Sequence, residues 1–237
     1  MSDVNLLYKR EYCINDQIRI MIPEIGDVID NESDYYSLVT ALTSMPIDLM
    51  VQLDDAGIDY TTINDYDLFL ILFNSIASQD TSLVFGDLDL SKFELALNKE
   101  NGMLVVMNPE KGIVIDRAIY NQIATVLRKI HHLEKNRRKP ANEEAKEYML
   151  ERARQKLKRQ KNKAYKSQIE PLIIAMVNTE QYKYNFEETR ALTIYQFNES
   201  VRQVSKKVDY DNVMYGVYAG TVDPKGLNKD ILNWVSG

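Results

Sequence analysis

One cysteine, one tryptophan and two histidines are all that 237 residues contain of those types, and no lysine or arginine falls between Arg19 and Lys92. A lone Cys13 excludes an internal disulfide framework and fits a reducing compartment. With only His131 and His132 beside it, no Cys/His zinc set can be assembled. The longest apolar runs, such as Leu68–Phe73 and Leu172–Val177, fall far short of the roughly 20 residues a membrane span needs. The amino terminus, MSDVNLLYKREY, lacks a basic-then-apolar leader pattern. A chain working inside a cell, or carried within a particle, is expected. No Walker loop, dinucleotide fingerprint, Ser-His-Asp or Cys-His context occurs, so no residue proposes itself for catalysis and no cofactor is expected.

The missing cations reappear farther along. Residues 1–127 hold 7 basic and 21 acidic side chains, residues 128–166 hold 15 and 5, and residues 167–237 hold 7 and 9. A net charge of −6 therefore conceals an acidic first half and a basic middle. Like-charge blocks repel internally and attract the opposite sign, which makes contact with something else the natural expectation. The chain divides accordingly into 1–117, an acidic α+β domain; 118–166, a basic helical hairpin arm; and 167–237, a helical carboxyl-terminal part.

Local patterns fill in the elements. Tyr12–Ile14 and Gln17–Ile22 flank Asn15-Asp16, a turn pair tolerant of positive φ, and predict a β-hairpin. Ser33 or Asp34 caps a helix through Leu42, Pro46 breaks it, and Ile47–Asp55 continues to a Gly57 stop. Asn64 caps a helix to about Ser78 that is apolar most of the way round. Lys92–Leu97, Met103–Met107 and Gly112–Ile115 alternate with turn residues and predict a three-stranded meander. Asp116 caps a helix whose apolar positions Ile119, Ile123, Leu127, Ile130 and Leu133 keep helical spacing. After Pro140, Asn142 caps a very polar helix, acidic early and basic late, with a thin stripe of Ala145, Met149, Ala153 and Leu157. The two predict a projecting antiparallel hairpin. Pro171 opens an apolar helix to Asn178. Asn185 with Glu188 predicts a helix of about twenty residues carrying Ile194, Phe197, Val201, Val204 and Val208 as an apolar seam, and further caps are expected at Asp211 and Asn228. The fold class is α+β, predominantly helical.

Several residues invite chemistry, each with a plainer alternative. Asp87 and Asp89 would project to one side of an extended stretch, but a divalent metal needs more oxygen ligands, and capping of the next segment is the simpler role. His131 and His132 point about 100° apart on a helix, which favours solvated surface over joint ligation. Cys13 in a strand reads as a small core residue. The fifteen tyrosines suit interfaces or small cores equally.

The basic block is the strongest functional signal. Arg128, Lys129, Lys135, Arg137, Arg138, Lys139, Arg152, Arg154, Lys158 and Arg159 are the candidate partner-binding residues, with Lys156, Lys161, Lys163 and Lys166 extending the stripe. Such a stripe can track a phosphate backbone. The acidic first half and the scarcity of aromatics among the cations favour a protein partner, or another copy, over nucleic acid.

Several strings together resemble a family encoded by bacteriophages and prophages of Gram-positive bacteria: Leu42-Thr-Ser-Met-Pro-Ile-Asp-Leu49, Gly57-Ile-Asp-Tyr60, Asp65-Tyr-Asp-Leu-Phe69, Phe85-Gly-Asp-Leu-Asp-Leu-Ser-Lys-Phe93, Tyr165-Lys-Ser167, and Tyr218-Ala-Gly-Thr-Val-Asp223 before Asn228 and Trp234. The similarity covers most of the chain, and its motifs are caps, turns and buried aromatics that transfer no active site. It implies a non-enzymatic virion assembly or minor structural protein of the tail-assembly-chaperone type, in the host cytoplasm or virion, with phage structural proteins or other copies of itself as partners. The alternative is a nucleic-acid-binding accessory protein gripping DNA with the basic arm.

Overall fold

Residues 5–98, 102–160, 165–227 and 233–235 are described in the computed structural model of the chain. It is 56% helical, with ten α-helices and two small antiparallel sheets among the described residues, so the α+β, predominantly helical class holds. The hairpin forms where Asn15 predicts it. β1 (Glu11–Cys13) pairs with β2 (Arg19–Met21), and Asn15 Oδ1 accepts from the backbone of Gln17 and Ile18 at 2.9 and 2.8 Å, an Asx turn. Cys13, expected in the core, is exposed. Strand alternation explains this: Tyr12 lies opposite the fully buried Ile20, so its neighbour Cys13 takes the outer face.

A short helix that the sequence pattern did not reveal, α1 (Ile25–Asp30), precedes α2 (Glu32–Thr43). A 3-10 turn at Pro46–Leu49 leads into α3 (Met50–Asp55), and Gly57 follows at φ 73°, the left-handed position that glycine adopts without a Cβ clash. α4 (Asp65–Ala77) starts with a complete capping box. Asn64 Oδ1 accepts from Tyr66 N and Asp67 N, and Asp67 Oδ2 accepts from Asn64 N at 3.0 Å. After α5 (Ser82–Phe85), Asp89 accepts from Ser91 N at 3.0 Å and caps a 3-10 turn, the simpler of its two anticipated roles. The meander β3 (Glu94–Leu97), β4 (Leu104–Asn108), β5 (Ile113–Ile115) follows in sequence order. Part of its first turn, residues 99–101, lies outside the described residues.

α6 (Arg117–Ile130), capped by Asp116, departs from expectation. Its spacing predicts one arm of a projecting hairpin, yet Tyr120, Ile123, Ala124, Leu127 and Ile130 are fully buried in the main core against α2, α4 and β5. Its apolar stripe is wide enough to bury, and a stripe that wide is not left on an isolated arm. That core takes Leu6 and Phe69 from the acidic segment, Ile123 from the basic one and Ile169 and Phe197 from the carboxyl-terminal one. The three charge-defined segments share it.

α7 (Glu143–Gln160) is followed by α8 (Ile169–Val177), α9 (Phe186–Arg190) and α10 (Ile194–Tyr218). The predicted helix from Asn185 is two helices. Asn185 and Glu188 do form a capping box, but Thr193 and Gln196 form a second one eight residues later. The break is stabilised from outside: Ile25 N donates to Leu192 O at 2.8 Å, and Ile194 N donates to Pro23 O at 2.9 Å. α10 then runs on through Asp211, which binds Lys207 across one turn instead of capping a new helix. The Asn228 cap lies outside the described residues.

Candidate functional site

α7 lies on α3 through its thin apolar stripe. Met149, Leu150 and Ala153 pack with Ile47, Val51, Leu53, Tyr60 and Leu68 in a small second core. The helix starts where Asn142 Oδ1 accepts from Ala145 N at 2.8 Å. Around this seam the two charge blocks meet within one chain. Arg154 forks onto two carboxylates, Nη1 to Asp55 at 2.6 Å and Nη2 to Asp54 at 2.5 Å. Lys146 reaches Asp59 at 2.8 Å and Glu143 at 3.0 Å. Lys135 holds Asp65 at 2.9 Å, and Asn136 Nδ2 donates to Asp48 at 2.8 Å. The Lys146 hydrogen bond, with two more from Thr61, pulls the Asp59 carboxyl down to about 2. The carboxylates raise Lys146 and Arg154 in turn.

The candidate residues thus fall into two groups. Arg128, expected on the partner-facing surface, is only 6% exposed. Its Nε and Nη2 donate to Thr43 O at 3.1 and 2.6 Å, where a cation complements the carboxyl end of α2. It is withdrawn from any surface role. Lys129 is half-buried and has a partner, while Lys135 and Arg154 neutralise acids of the same chain. Arg137, Arg138, Lys139, Arg152, Lys158 and Arg159 remain exposed, as does Lys156, and none has an ion pair among the described residues. Lys161 and Lys163 lie outside those residues. Tyr148, Arg152, Lys156 and Arg159, spaced by one turn, share one side of α7 and line a groove of about 680 Å³ floored by Met50, Met149 and Ala153. Arg152 lies over the Tyr148 ring.

A second cleft, of about 520 Å³, is lined by the Met45–Ile47 corner and the Asn136–Pro140 segment. Sequence reasoning missed its floor, Tyr60. The Tyr60 hydroxyl is buried without a hydrogen-bond partner, a condition that costs about 1–3 kcal/mol, and burial raises its pKa. A tyrosine just after an acidic residue gave no local signal of this, because burial is set by α7 arriving nearly ninety residues later.

The family match falls elsewhere in the chain. Residues 158–237 match the family model of the YomV second domain. That family is phage-associated, and the matched part runs from the end of α7 through α8, α9 and α10. No curated protein and no solved structure matches the chain. No helix among the described residues is long and apolar enough to cross a membrane, and among them no group of three or more His, Cys, Asp or Glu is placed to hold a metal ion. The YomV-like part is joined to the rest by Glu32, whose buried carboxylate accepts from Gln168 N at 2.7 Å and Ile169 N at 3.1 Å at the start of α8.

The two histidines also separate. His132 adopts φ 52° just beyond α6 and faces Glu199 at 3.6 Å. The His131 ring, expected at the surface, is enclosed: Nε2 lies 3.0 Å from the Tyr35 hydroxyl, and the Tyr36 ring packs on it edge-on. Burial, and secondarily the His132 charge, lowers its pKa to about 4. A depressed histidine leaves the folded state reluctant to take a proton. Stability is therefore full above the unfolded value of about 6.5 and declines as pH falls from there toward 4. Because part of the residue reaches solvent, a loss on the order of 1–2 kcal/mol is expected between about pH 7 and pH 5. Urea titrations of the wild type and His131→Gln at both pH values check this; an equal decline in the variant rules the assignment out.

Proposed function

We propose that this protein is a non-enzymatic bacteriophage virion assembly or minor structural protein, of the tail-assembly-chaperone type, acting through protein–protein contacts. The observation carrying this reading is the division of the basic block. Its cations toward α3 and α4 are neutralised in cis, and a second set, Arg137–Lys139 and the Arg152, Lys156, Arg159 row, is left open beside an exposed tyrosine and a methionine-floored groove. Arginine with tyrosine and methionine is the composition enriched at protein interfaces. A cation row serving only solubility has no need of a groove with an apolar floor. The match to the YomV second domain supports the phage context.

Charge reversal tests it. Arg152→Glu, Lys156→Glu and Arg159→Glu combined should reduce co-purification with co-expressed virion proteins at least about tenfold, as expected for oppositely charged partners brought into like-charge contact. Circular dichroism should be unchanged. Retention of generic duplex DNA that falls steeply with salt and disappears in the variant, with protein partners unaffected, would establish the nucleic-acid role in its place.

A further inference from the structure

Two buried side-chain polar atoms among the described residues have no hydrogen-bond partner, Tyr60 Oη and Arg128 Nη1. They flank one corner of the fold. Tyr60 is 4% exposed and lines the 520 Å³ cleft; Arg128 spends its other nitrogens on Thr43 O and lies 3.8 Å from the sulfur of Met45, a wall of the same cleft. The cleft is also lined by Arg137, Arg138 and Lys139 of the segment before α7, and by Lys146 of α7. Lys146 is compensated by Asp59 and Glu143, so the uncompensated positive charge belongs to residues 137–139.

We infer that this cleft receives a carboxylate side chain from an extended, acidic and partly apolar segment of a partner protein, with Tyr60 Oη donating to the carboxylate and Arg137 and Arg138 closing over it. The inference rests on reading the open basic face as a protein-binding surface. An O–H donated to a carboxylate is a charge-assisted bond, and it would satisfy the hydroxyl that the free protein leaves unpaired. The volume falls within the usual range for a binding pocket, roughly 300–1,000 Å³, enough for a side chain and its neighbours. The walls argue for peptide over nucleic acid. Met45, Pro46, Ile47 and Ile63 offer apolar contacts to a peptide side chain and nothing to a phosphate chain.

The test begins with a displayed library of random short peptides selected on the full chain. Enriched sequences should combine Asp or Glu with an apolar residue. One labelled sequence, followed by fluorescence anisotropy, should bind Tyr60→Phe about five- to tenfold more weakly, the effect of one lost hydrogen bond. It should bind Arg137→Ala/Arg138→Ala at least about tenfold more weakly. The Tyr60→Phe protein should melt at the same temperature as the wild type or higher, because the change removes an unpaired buried hydroxyl, so weaker binding by this variant cannot be put down to unfolding. Enrichment of sequences without acidic residues, no enrichment, equal binding by Tyr60→Phe, or displacement of the peptide by a duplex oligonucleotide but not by free acidic peptide would each overturn the inference. Loss of the cleft alone is recognisable, since the α7 charge-reversal protein would still lose its virion partner. If that protein keeps its partner, the basic face itself is misassigned.

Discussion

Replacing Phe69 with alanine should lower the unfolding free energy by about 4 kcal/mol, a large share of the roughly 5–15 kcal/mol that holds a domain folded. Phe69 is 2% exposed at the middle of α4, where three aromatic rings surround it. The Tyr120 ring stacks on it at 4.7 Å and 22°, Phe73 meets it edge-on at 5.9 Å, and Tyr66 lies at 6.1 Å. Truncation removes the transfer energy of the ring, opens a cavity and breaks aromatic pairs worth about 0.5–1.5 kcal/mol beyond their area. The damage should spread to the meander, because Tyr66 Oη donates to Leu104 O at 3.0 Å and reaches Ile115 O at 3.2 Å, joining α4 to β4 and β5. For a chain of this length, the midpoint should fall by about 8–15 °C, with early loss of the near-ultraviolet tyrosine signal. Phe69→Leu, which keeps most of the volume, should cost about 1–2 kcal/mol. A loss below about 1 kcal/mol for the alanine variant would show that α4 is not the hub described.

Glu32→Ala should destabilise by about 3 kcal/mol and act on the junction between the YomV-like part and the rest. The side chain is 7% exposed. Burial pushes its carboxyl up, but hydrogen bonds from Ser167, the backbone of Gln168 and Ile169, and Tyr165 outweigh it and hold the pKa below the usual value. Bonds to a charged acceptor are worth about 1.5–3 kcal/mol, and removing the acceptor strands the first amides of α8 without a partner. A depressed carboxyl contributes stability that is present above the unfolded value and lost as pH falls through the folded one. For Glu32 that window lies below about 4.5, where most of the His131 contribution has already been lost, so the two contributions separate along most of the pH axis. Hydrogen exchange should show amides of residues 168–177 losing protection in Glu32→Ala before those of α4. Glu32→Gln keeps one acceptor and should lose about half as much. Uniform loss of protection across both regions would contradict the clamp.

Much of this architecture was legible in local sequence. Asn15, Asn64, Asp116, Asn142 and the Asn185–Glu188 pair all act at the positions their types suggest, because a cap or an Asx turn depends on a donor two or three residues away. The meander was legible for the same reason. The errors cluster where a distant segment decides. Asn185 starts a helix as anticipated, but the helix stops within five residues because Leu192 and Ile194 pair with the backbone around Pro23 and Ile25. His131 and Cys13 exchanged environments relative to expectation: the first is enclosed by tyrosines of α2, and the second sits on the outer side of a hairpin whose inner face is fixed by Ile20. The candidate site was legible as a charge block and illegible as a surface.

By itself the sequence determined that this chain is an α+β, mostly helical protein with an acidic front and a basic middle, since composition, spacing and capping residues are properties of the chain read locally. Only the tertiary structure decided which of those charges are paired within the chain. Arg128 spends its guanidinium on Thr43 O, 85 residues away, and Arg154 closes on Asp54 and Asp55 about one hundred residues before it. Coulomb attraction depends on distance in space, and chain separation carries no information about it. The fold therefore cancels one part of the basic block against the cation-free stretch and leaves the other part open. It also places Tyr60 beneath the open part, a juxtaposition that no spacing in the sequence encodes.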